Sequence, residues 1–204
     1  ISSEVKGDEQ TFVPMASKTH LIQCRELFGP PDRHLELLEC QRRNADVFDE
    51  VTSPHGRPTF TELFRLCRPN RINVIVNSDI YFERLAHFPE PGQVWALSRY
   101  DVDPTGASVL WDHGDSQDSW IVSGGPHEID APFPMGIPGC DNALIHILRM
   151  AGFTVTNPSK TIRSYHLHLS QYRSYLDGGN GRGRGGVKLE RVPPPYGFAK
   201  PCEI

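Results

Sequence analysis

The stretch Ile72-Asn-Val-Ile-Val-Asn-Ser-Asp79 predicts the fold class of this chain. Its apolar positions carry β-branched side chains, which pack well on a pleated sheet. A short continuous apolar run is typical of a strand buried on both faces, as in the sheet of an α/β protein. Open α/β sheets bind ligands beyond the carboxyl ends of their strands, so Asn77, Ser78 and Asp79 are candidate binding residues. An ordinary turn after a strand is the alternative.

The composition indicates one folded domain. The chain has 204 residues, 38% of them hydrophobic and 23% charged, and a formal net charge of −4. An acidic balance argues against a general nucleic-acid binder, and we expect no stable nucleic-acid partner. No stretch reaches the apolar length of a transmembrane helix. The five cysteines include no C-x-x-C pair, which favours reduced thiols in a cytoplasmic protein.

Strand and helix patterns alternate on both sides of this stretch. Residues 18–24 and 47–51 predict strands, separated by a helix on which Leu35 and Leu38 share a face, and Thr59 begins a second short helix. This β-α-β-α-β order is expected of a parallel sheet with helical crossovers. Later strands are predicted at 93–98, 119–122 and 161–168.

The remaining segments are a helix, a long loop and two flanking regions. A helix runs from Asp141 to a stop at Gly152. The preceding residues 123–139 are rich in glycine and proline, and so long an irregular stretch is more often functional than filler. We expect residues 1–17 to be an extended lead-in and residues 176–204 to be a Gly/Pro-rich tail outside the domain.

Two histidines lie two residues apart on the last predicted strand. Alternate residues of a strand point to the same face, so His166 and His168 can converge on one site. Together with Asp79 they would suit Mn²⁺ or Mg²⁺, with phosphate oxygens and water completing the shell. A solvated strand face, or one histidine bonded in the core, is the alternative.

Two further carboxylates are candidates for catalysis. Asp141 stands at the start of a helix after a glycine-containing loop, where it can act as a general base or simply cap the helix. Asp118, before Trp120, can bind sugar hydroxyls, act as a base or form an ion pair, and a polar turn is the alternative. Arg57, near a helix start, can meet a diphosphate or lie in a surface turn.

Motifs of other enzyme classes are absent. The sequence holds no G-x-S-x-G, no Walker P-loop and no H-E-x-x-H. A nucleotidyltransferase would share the fold and the metal, but it would need a basic nucleotide-binding loop near the first strand. The segment Gln23-Cys-Arg-Glu-Leu-Phe28 offers little of that.

Six blocks occur in one order along the chain and point to a family. They are Arg57-Pro-Thr-Phe60, Val76-Asn-Ser-Asp-Ile-Tyr-Phe82, Ala96-Leu-Ser-Arg99, Ser116-Gln-Asp-Ser-Trp-Ile121, Pro138-Gly-Cys-Asp-Asn142, and Asn157-Pro-Ser159 followed by Ser164-Tyr-His-Leu-His168. Together they resemble a small group of GT-A-type nucleotide-sugar glycosyltransferase domains, one of them from a large chlorella virus. The resemblance covers about residues 18–175.

The resemblance implies an α/β fold in a single GT-A-like domain, with a Rossmann-like, mostly parallel sheet flanked by helices. It implies a nucleotide-binding half at about 18–101 and an acceptor half at about 102–175. Asp79 takes the metal-binding position of a DXD-type motif whose first residue is here Asn77. The metal ligands implied are Asp79 with His166 or His168. The donor-binding residues predicted are Gln23, Arg57, Asn77, Ser78, Asp79 and Arg99.

The function implied is transfer of a sugar from a UDP- or dTDP-sugar to a hydroxyl acceptor such as a glycan, assisted by Mn²⁺ or Mg²⁺. Asp141 is the implied acceptor base, and Asp118 is the second catalytic candidate. An inverting enzyme would use such a base and a retaining enzyme would not, and the sequence leaves both open. The alternative function is a catalytically inactive nucleotide-sugar or glycan-binding module.

Overall fold

A computed structural model describes residues 18–172, 175–176, 187–188 and 190–204 of the chain. The expected lead-in at 1–17 and the Gly/Arg-rich part of the expected tail, residues 177–186, lie outside these ranges.

The first half of the chain has the predicted element order. Its elements are β1 (Thr19–Gln23), α1 (Pro31–Ala45), β2 (Glu50–Thr52), α2 (Phe60–Arg65) and β3 (Ile72–Val76). Every residue of β3 is buried, as the apolar run predicts. Helix α2 begins with a capping box, in which the Thr59 side chain accepts from the Glu62 N–H and the Glu62 carboxylate accepts from the Thr59 N–H.

The second half contributes further strands and one long helix. Its elements are β4 (Ile80–Tyr81), β5 (Gln93–Leu97), β6 (Arg99–Val102), β7 (Ser108–Leu110), β8 (Ser119–Ser123), α3 (Cys140–Met150), β9 (Thr154–Thr156), β10 (Ser164–His166), β11 (Tyr175–Leu176) and β12 (Val187–Lys188). Residues 124–139 form no helix or strand, in agreement with the predicted long loop.

The main sheet is mixed, whereas the sequence predicted a mostly parallel one. Its order is β2-β1-β3-β8-β5-β9, and β8 runs antiparallel to both of its neighbours while the other pairs are parallel. The chain enters β8 at the edge where β3 and β5 end. Polar residues just before β8 therefore meet those just after β3 and β5. The chain is an α/β protein with mixed sheets.

A second sheet, ordered β4-β10-β6-β7, brings the histidine strand into the same region. Strand β10 pairs antiparallel with β4 and parallel with β6, which places His166 opposite Asp101. Strands β6 and β7 form an antiparallel hairpin. Because β4 follows Asp79 directly, this sheet joins the end of β3 to the histidines.

Apolar side chains pack on both faces of the main sheet. In one cluster, α2 and α3 pack against every second residue of the strands, among them Ile22, Ile75 and Trp120. The other cluster holds the intervening strand residues, including Leu21 and Val76. This alternation is expected where both faces of a pleated sheet are covered.

Helix α1 buries a different face from the one that carries its two exposed leucines. Leu35 is 69% exposed and Leu38 is 46% exposed. The buried residues of the helix are Arg33, Glu36, Leu37, Cys40 and Asn44. The face carrying Leu35 and Leu38 therefore points outward, and a largely polar face points inward.

The C-terminal segment, residues 190–204, packs along the domain, although we expected a tail outside it. The backbone N–H of Gly197 donates to the Asn142 carbonyl at 2.8 Å, and that of Ala199 donates to the Gly114 carbonyl at 3.1 Å. Gly114 lies in the loop before β8, and Asn142 lies in the first turn of α3. The segment therefore contacts the loop that leads to Asp118 and the helical turn that holds Asp141.

Two further observations concern thiols and membranes. All five cysteines lie in the described ranges and are free thiols, and three of them are buried. Within the described residues, no helix has both the length and the apolar character needed to cross a membrane.

Substitution of Gly197 tests the packing of the C-terminal segment. A Cβ atom at this position would lie 2.5 Å from Ile145 Cγ2 and 3.0 Å from the His146 nitrogen. We expect Gly197→Val to lower the free energy of unfolding by about 1–3 kcal/mol, since overpacking forces neighbours apart. Urea denaturation measures this change. The exposed neighbour Lys200→Ala is the control, and an unchanged midpoint for Gly197→Val would contradict the close packing.

Candidate active site

A cavity of about 470 Å³ lies at the carboxyl edge of the main sheet. It is lined by residues that follow β1, β2 and β3 and by residues that precede β8 and begin α3. The predicted site residues that line it are Arg57, Asn77, Ser78, Asp79, Arg99, Asp118, Asp141, His166 and His168. The structure thus brings together side chains from segments far apart in the sequence.

Gln23 lies beneath the cavity and does not line it. The side chain is 1% exposed, and its Nε2 donates to the carbonyl oxygens of Asn77, Ser78 and Ile80 at 3.0–3.3 Å. The predicted donor-binding residue therefore holds the backbone of the Asn77–Asp79 turn in place.

Asp79 is the centre of charge in the cavity. Its Oδ2 accepts a hydrogen bond from Arg33 Nη2 at 2.5 Å and lies 3.2 Å from His166 Nε2. Burial alone would raise the pKa of Asp79, but His166 and Arg33 hold that pKa well below its usual range. Asp79 is therefore ionised at neutral pH.

His166 bridges two carboxylates. Its Nδ1 lies 2.7 Å from Asp101 Oδ1, on the opposite side of the ring from Asp79. Burial opposes a positive charge on the ring, but Asp79 and Asp101 raise the pKa of His166 to about 9. At pH 7 the ring is an imidazolium whose two N–H groups donate to the two carboxylates.

His168 lies beside His166, but β10 ends at His166 and does not extend to His168 as the sequence predicted. The two ring centres are 5.2 Å apart. Burial and the nearby Arg33 lower the pKa of His168, so the ring is neutral at pH 7. Its Nε2 donates to the Tyr172 carbonyl at 2.6 Å, which leaves a lone pair on Nδ1.

Asp79, His166 and His168 form a group of side chains that could hold a metal ion. One ligand atom of each residue lies within 4.8 Å of the others. Asp101 behind His166 is the kind of carboxylate partner that orients metal-binding histidines. A cation held here would take the place of the proton on His166 Nε2 and would compete with Arg33 for the Asp79 carboxylate.

Asp118 connects the ends of β3 and β5. Its Oδ1 accepts from Asn77 Nδ2 at 2.7 Å, and its Oδ2 accepts from Arg99 Nη1 at 2.8 Å. Arg99 Nε also donates to Asp101 at 2.8 Å. Burial opposes the charge of Arg99, but Asp118 and Asp101 keep its pKa above the usual range. Arg99 therefore balances two carboxylates of the cavity wall.

Asp141 presents a carboxyl group to the cavity from the first turn of α3. The N-cap of this helix is Gly139, at a φ of 78°, and no side chain caps it, so the alternative of Asp141 as the cap is wrong. Burial first, and then the charge of Asp118, raise the pKa of Asp141 to about 7. Such a group can accept a proton near neutral pH.

Sequence reasoning missed two charged residues of the site. Arg33 lines the cavity from α1 and is 2% exposed, and Asp101 stands behind His166. Nothing in the helix pattern distinguishes Arg33 from the solvent-exposed charges around it. Asp101 could have been found, because it lies two residues after Arg99 on a strand and so shares its face.

Comparison of the chain with protein-family models, with curated proteins and with solved structures found no match. The family resemblance drawn from the sequence therefore stays a prediction. The geometry of the cavity carries the functional proposal.

The pKa of Asp141 gives a pH-dependent stability test. A raised carboxyl pKa means that folding favours the protonated form, so this contribution to stability is complete below the unfolded pKa of about 3.9 and is lost as the pH rises through about 7. Asp141→Asn is neutral at every pH, so we expect its melting temperature relative to wild type to rise by several degrees between about pH 5 and about pH 8.5.

Differential scanning calorimetry across this pH range makes the measurement. The exposed residue Asp115 supplies the matched control, Asp115→Asn. A difference in melting temperature between Asp141→Asn and wild type that stays the same at about pH 5 and about pH 8.5 would show that Asp141 is not held in its neutral form.

Proposed function

We propose that this chain is a glycosyltransferase of the GT-A type, which moves a sugar from a nucleoside diphosphate donor to a hydroxyl acceptor with the help of a divalent cation. One observation carries the proposal. Three side chains that could bind a metal ion, an arginine and a carboxyl group with a pKa of about 7 line the same cavity. The cavity also lies at the carboxyl edge of an α/β sheet, the usual place for a nucleotide. Five of the six main strands run in one direction, which supports a Rossmann-like nucleotide-binding half.

The charges of the cavity support the need for a cation. Arg33, Arg99 and the His166 imidazolium balance Asp79, Asp101 and Asp118, so these side chains leave little positive charge for a diphosphate. Arg57 on the cavity rim is one further cationic group. A divalent cation on Asp79, His166 and His168 would stabilise the charge that develops on the leaving diphosphate. This mixed oxygen and nitrogen set suits Mn²⁺ better than Mg²⁺.

The remaining cavity residues divide between donor and acceptor. Asn77 and Ser78, in the turn held by Gln23, are placed to contact the ribose of a UDP- or dTDP-sugar. Asp118, which is hydrogen-bonded to Asn77, and Asp141 also line the cavity, and we assign them to the sugar and the attacking hydroxyl. In an inverting reaction Asp141 takes the proton of the acceptor hydroxyl as the hydroxyl oxygen attacks the anomeric carbon. The bond from that carbon to the diphosphate oxygen breaks, and the nucleoside diphosphate leaves with the electron pair. Free thiols suit a reducing compartment, and we place this reaction in the cytoplasm.

Isothermal titration calorimetry tests the donor and the cation together. We expect UDP, UDP-glucose or dTDP-glucose to bind measurably with Mn²⁺ present and at least about tenfold more weakly without it. Asp79→Asn keeps the shape of the side chain but removes its charge, and we expect it to abolish the effect of Mn²⁺. No binding of any of these nucleotides, with or without Mn²⁺, would reject the proposal.

The exposed Asp130→Asn is the control for the Asp79 variant. Melting curves of both proteins are needed, because loss of the Asp79 charge leaves Arg33 buried without its partner. A folded Asp79→Asn protein in which Mn²⁺ still strengthens UDP binding would remove Asp79 as a metal ligand.

Asp141→Asn tests the base. If the reaction inverts, we expect donor binding within about threefold of wild type and a fall in kcat for transfer of about 10²-fold or more, the scale of general base catalysis. Transfer is measured by mass spectrometry of the glycosylated acceptor, with the exposed Asp130→Asn as the control. Wild-type turnover in Asp141→Asn would exclude its role as base and would favour a retaining reaction.

A second candidate function, a catalytically inactive nucleotide-sugar or glycan-binding module, is favoured by two contacts of Asp79. Arg33 and His166 already neutralise Asp79, so the site can be stable with no cation. Such a module would bind UDP equally well with and without Mn²⁺ and would neither transfer nor hydrolyse the donor.

A further inference from the structure

Trp111 is the exposed tryptophan of this chain. It is 39% exposed, whereas Trp95 is 5% and Trp120 is 0% exposed. Its ring centre lies 4.6 Å from that of His113, at an interplanar angle of 40°, and His113 is exposed as well. We call this pair the aromatic shelf. Tryptophan combines a large apolar face with a polar N–H, and this is why it is frequent at binding surfaces.

The aromatic shelf adjoins the catalytic cavity. The backbone N–H of Trp111 donates to the Arg99 carbonyl at 2.9 Å, so the two residues are neighbours across the ends of β6 and β7. The guanidinium carbon of Arg99 lies 5.3 Å from the centre of the Trp111 ring. The same guanidinium group donates to Asp118 and to Ser116, both of which line the cavity. The Arg99 side chain therefore connects the shelf to two residues that line the cavity.

The chemistry around the shelf suits a neutral sugar. One face of a pyranose ring presents C–H groups, which are attracted to the negative face of an aromatic ring. The exposed carboxylates of Asp112 and Asp115 and the hydroxyl of Ser116 can accept hydrogen bonds from sugar hydroxyls. The Asp115 carboxylate would repel an anionic acceptor, whereas Asp112 has a cationic neighbour in Lys160, whose Nζ lies 4.0 Å from Asp112 Oδ2.

We propose that the aromatic shelf binds the sugar ring of a neutral carbohydrate acceptor and presents its hydroxyl to the cavity. This inference rests on the proposed transferase function and adds the class of acceptor. It makes Trp111 a binding residue of the acceptor, separate from the groups that hold the donor.

Tryptophan fluorescence supplies a direct measurement, because the other two tryptophans are buried. The protein, with UDP and Mn²⁺ present, is titrated with the methyl glycosides of glucose, galactose, mannose, rhamnose and xylose. We expect a saturable change with at least one of them. By calorimetry, Trp111→Ala should weaken that binding at least about tenfold, whereas Trp111→Phe should stay within about threefold of wild type.

Phe198→Ala is the matched control, since Phe198 is 55% exposed and lies in the C-terminal segment. UDP binding is measured in every variant. Equal glycoside affinity in Trp111→Ala and wild type would overturn the proposal, and so would the absence of glycoside binding from a protein that binds UDP. If UDP fails to bind while a glycoside binds through Trp111, the shelf stands and the transferase function fails.

Discussion

The site depends on the buried ion pair between Arg33 and Asp79. Besides Asp79, the Arg33 guanidinium donates to Glu36 and to the carbonyl of Leu167, and the Leu167 N–H donates back to the Asp79 carbonyl. One side chain thus ties α1, the end of β3 and the histidine strand together. Removing one member of a buried pair commonly costs about 3–5 kcal/mol, because the other charge is left without compensation. The same contact sets the geometry in which Asp79 meets His166.

The ion pair of Arg33 and Asp79 belongs to a set of balanced charges around the cavity, and this balance bears on the proposed function. Asp79, Asp101 and Asp118 each have a cationic partner, whereas Asp141 accepts a hydrogen bond from the neutral Cys140 thiol and burial raises its pKa to about 7. The wall is therefore stable without a ligand, and Asp141 is the carboxyl group whose proton can be exchanged at pH 7. A diphosphate adds negative charge to a balanced site. This is why the proposed function calls for a cation in addition to the arginines.

Much of the fold could be predicted from local patterns. The burial of β3 and the closeness of His166 to His168 could both be predicted from residues that are near one another in the sequence. The direction of β8 could not be predicted in this way, because its burial pattern is the same in a parallel and in an antiparallel position. The buried face of α1 was missed for a related reason: Arg33 and Glu36 resemble solvent-exposed helix residues until their partners, Asp79 and Ser170, are brought to them by the tertiary fold. Packing of the C-terminal segment likewise depends on the small size of Gly197, which no local pattern reveals.

The central claim is that a cation and a nucleotide share the cavity around Asp79. The most direct test is paramagnetic broadening of backbone amide signals in an NMR spectrum of the protein with UDP and trace Mn²⁺. The account predicts that the amides next to Asp79, His166 and His168 broaden first and that UDP shifts signals of the Asn77–Asp79 turn. Broadening centred on exposed carboxylates such as Asp112 and Asp115, with no change at Asp79, would contradict it.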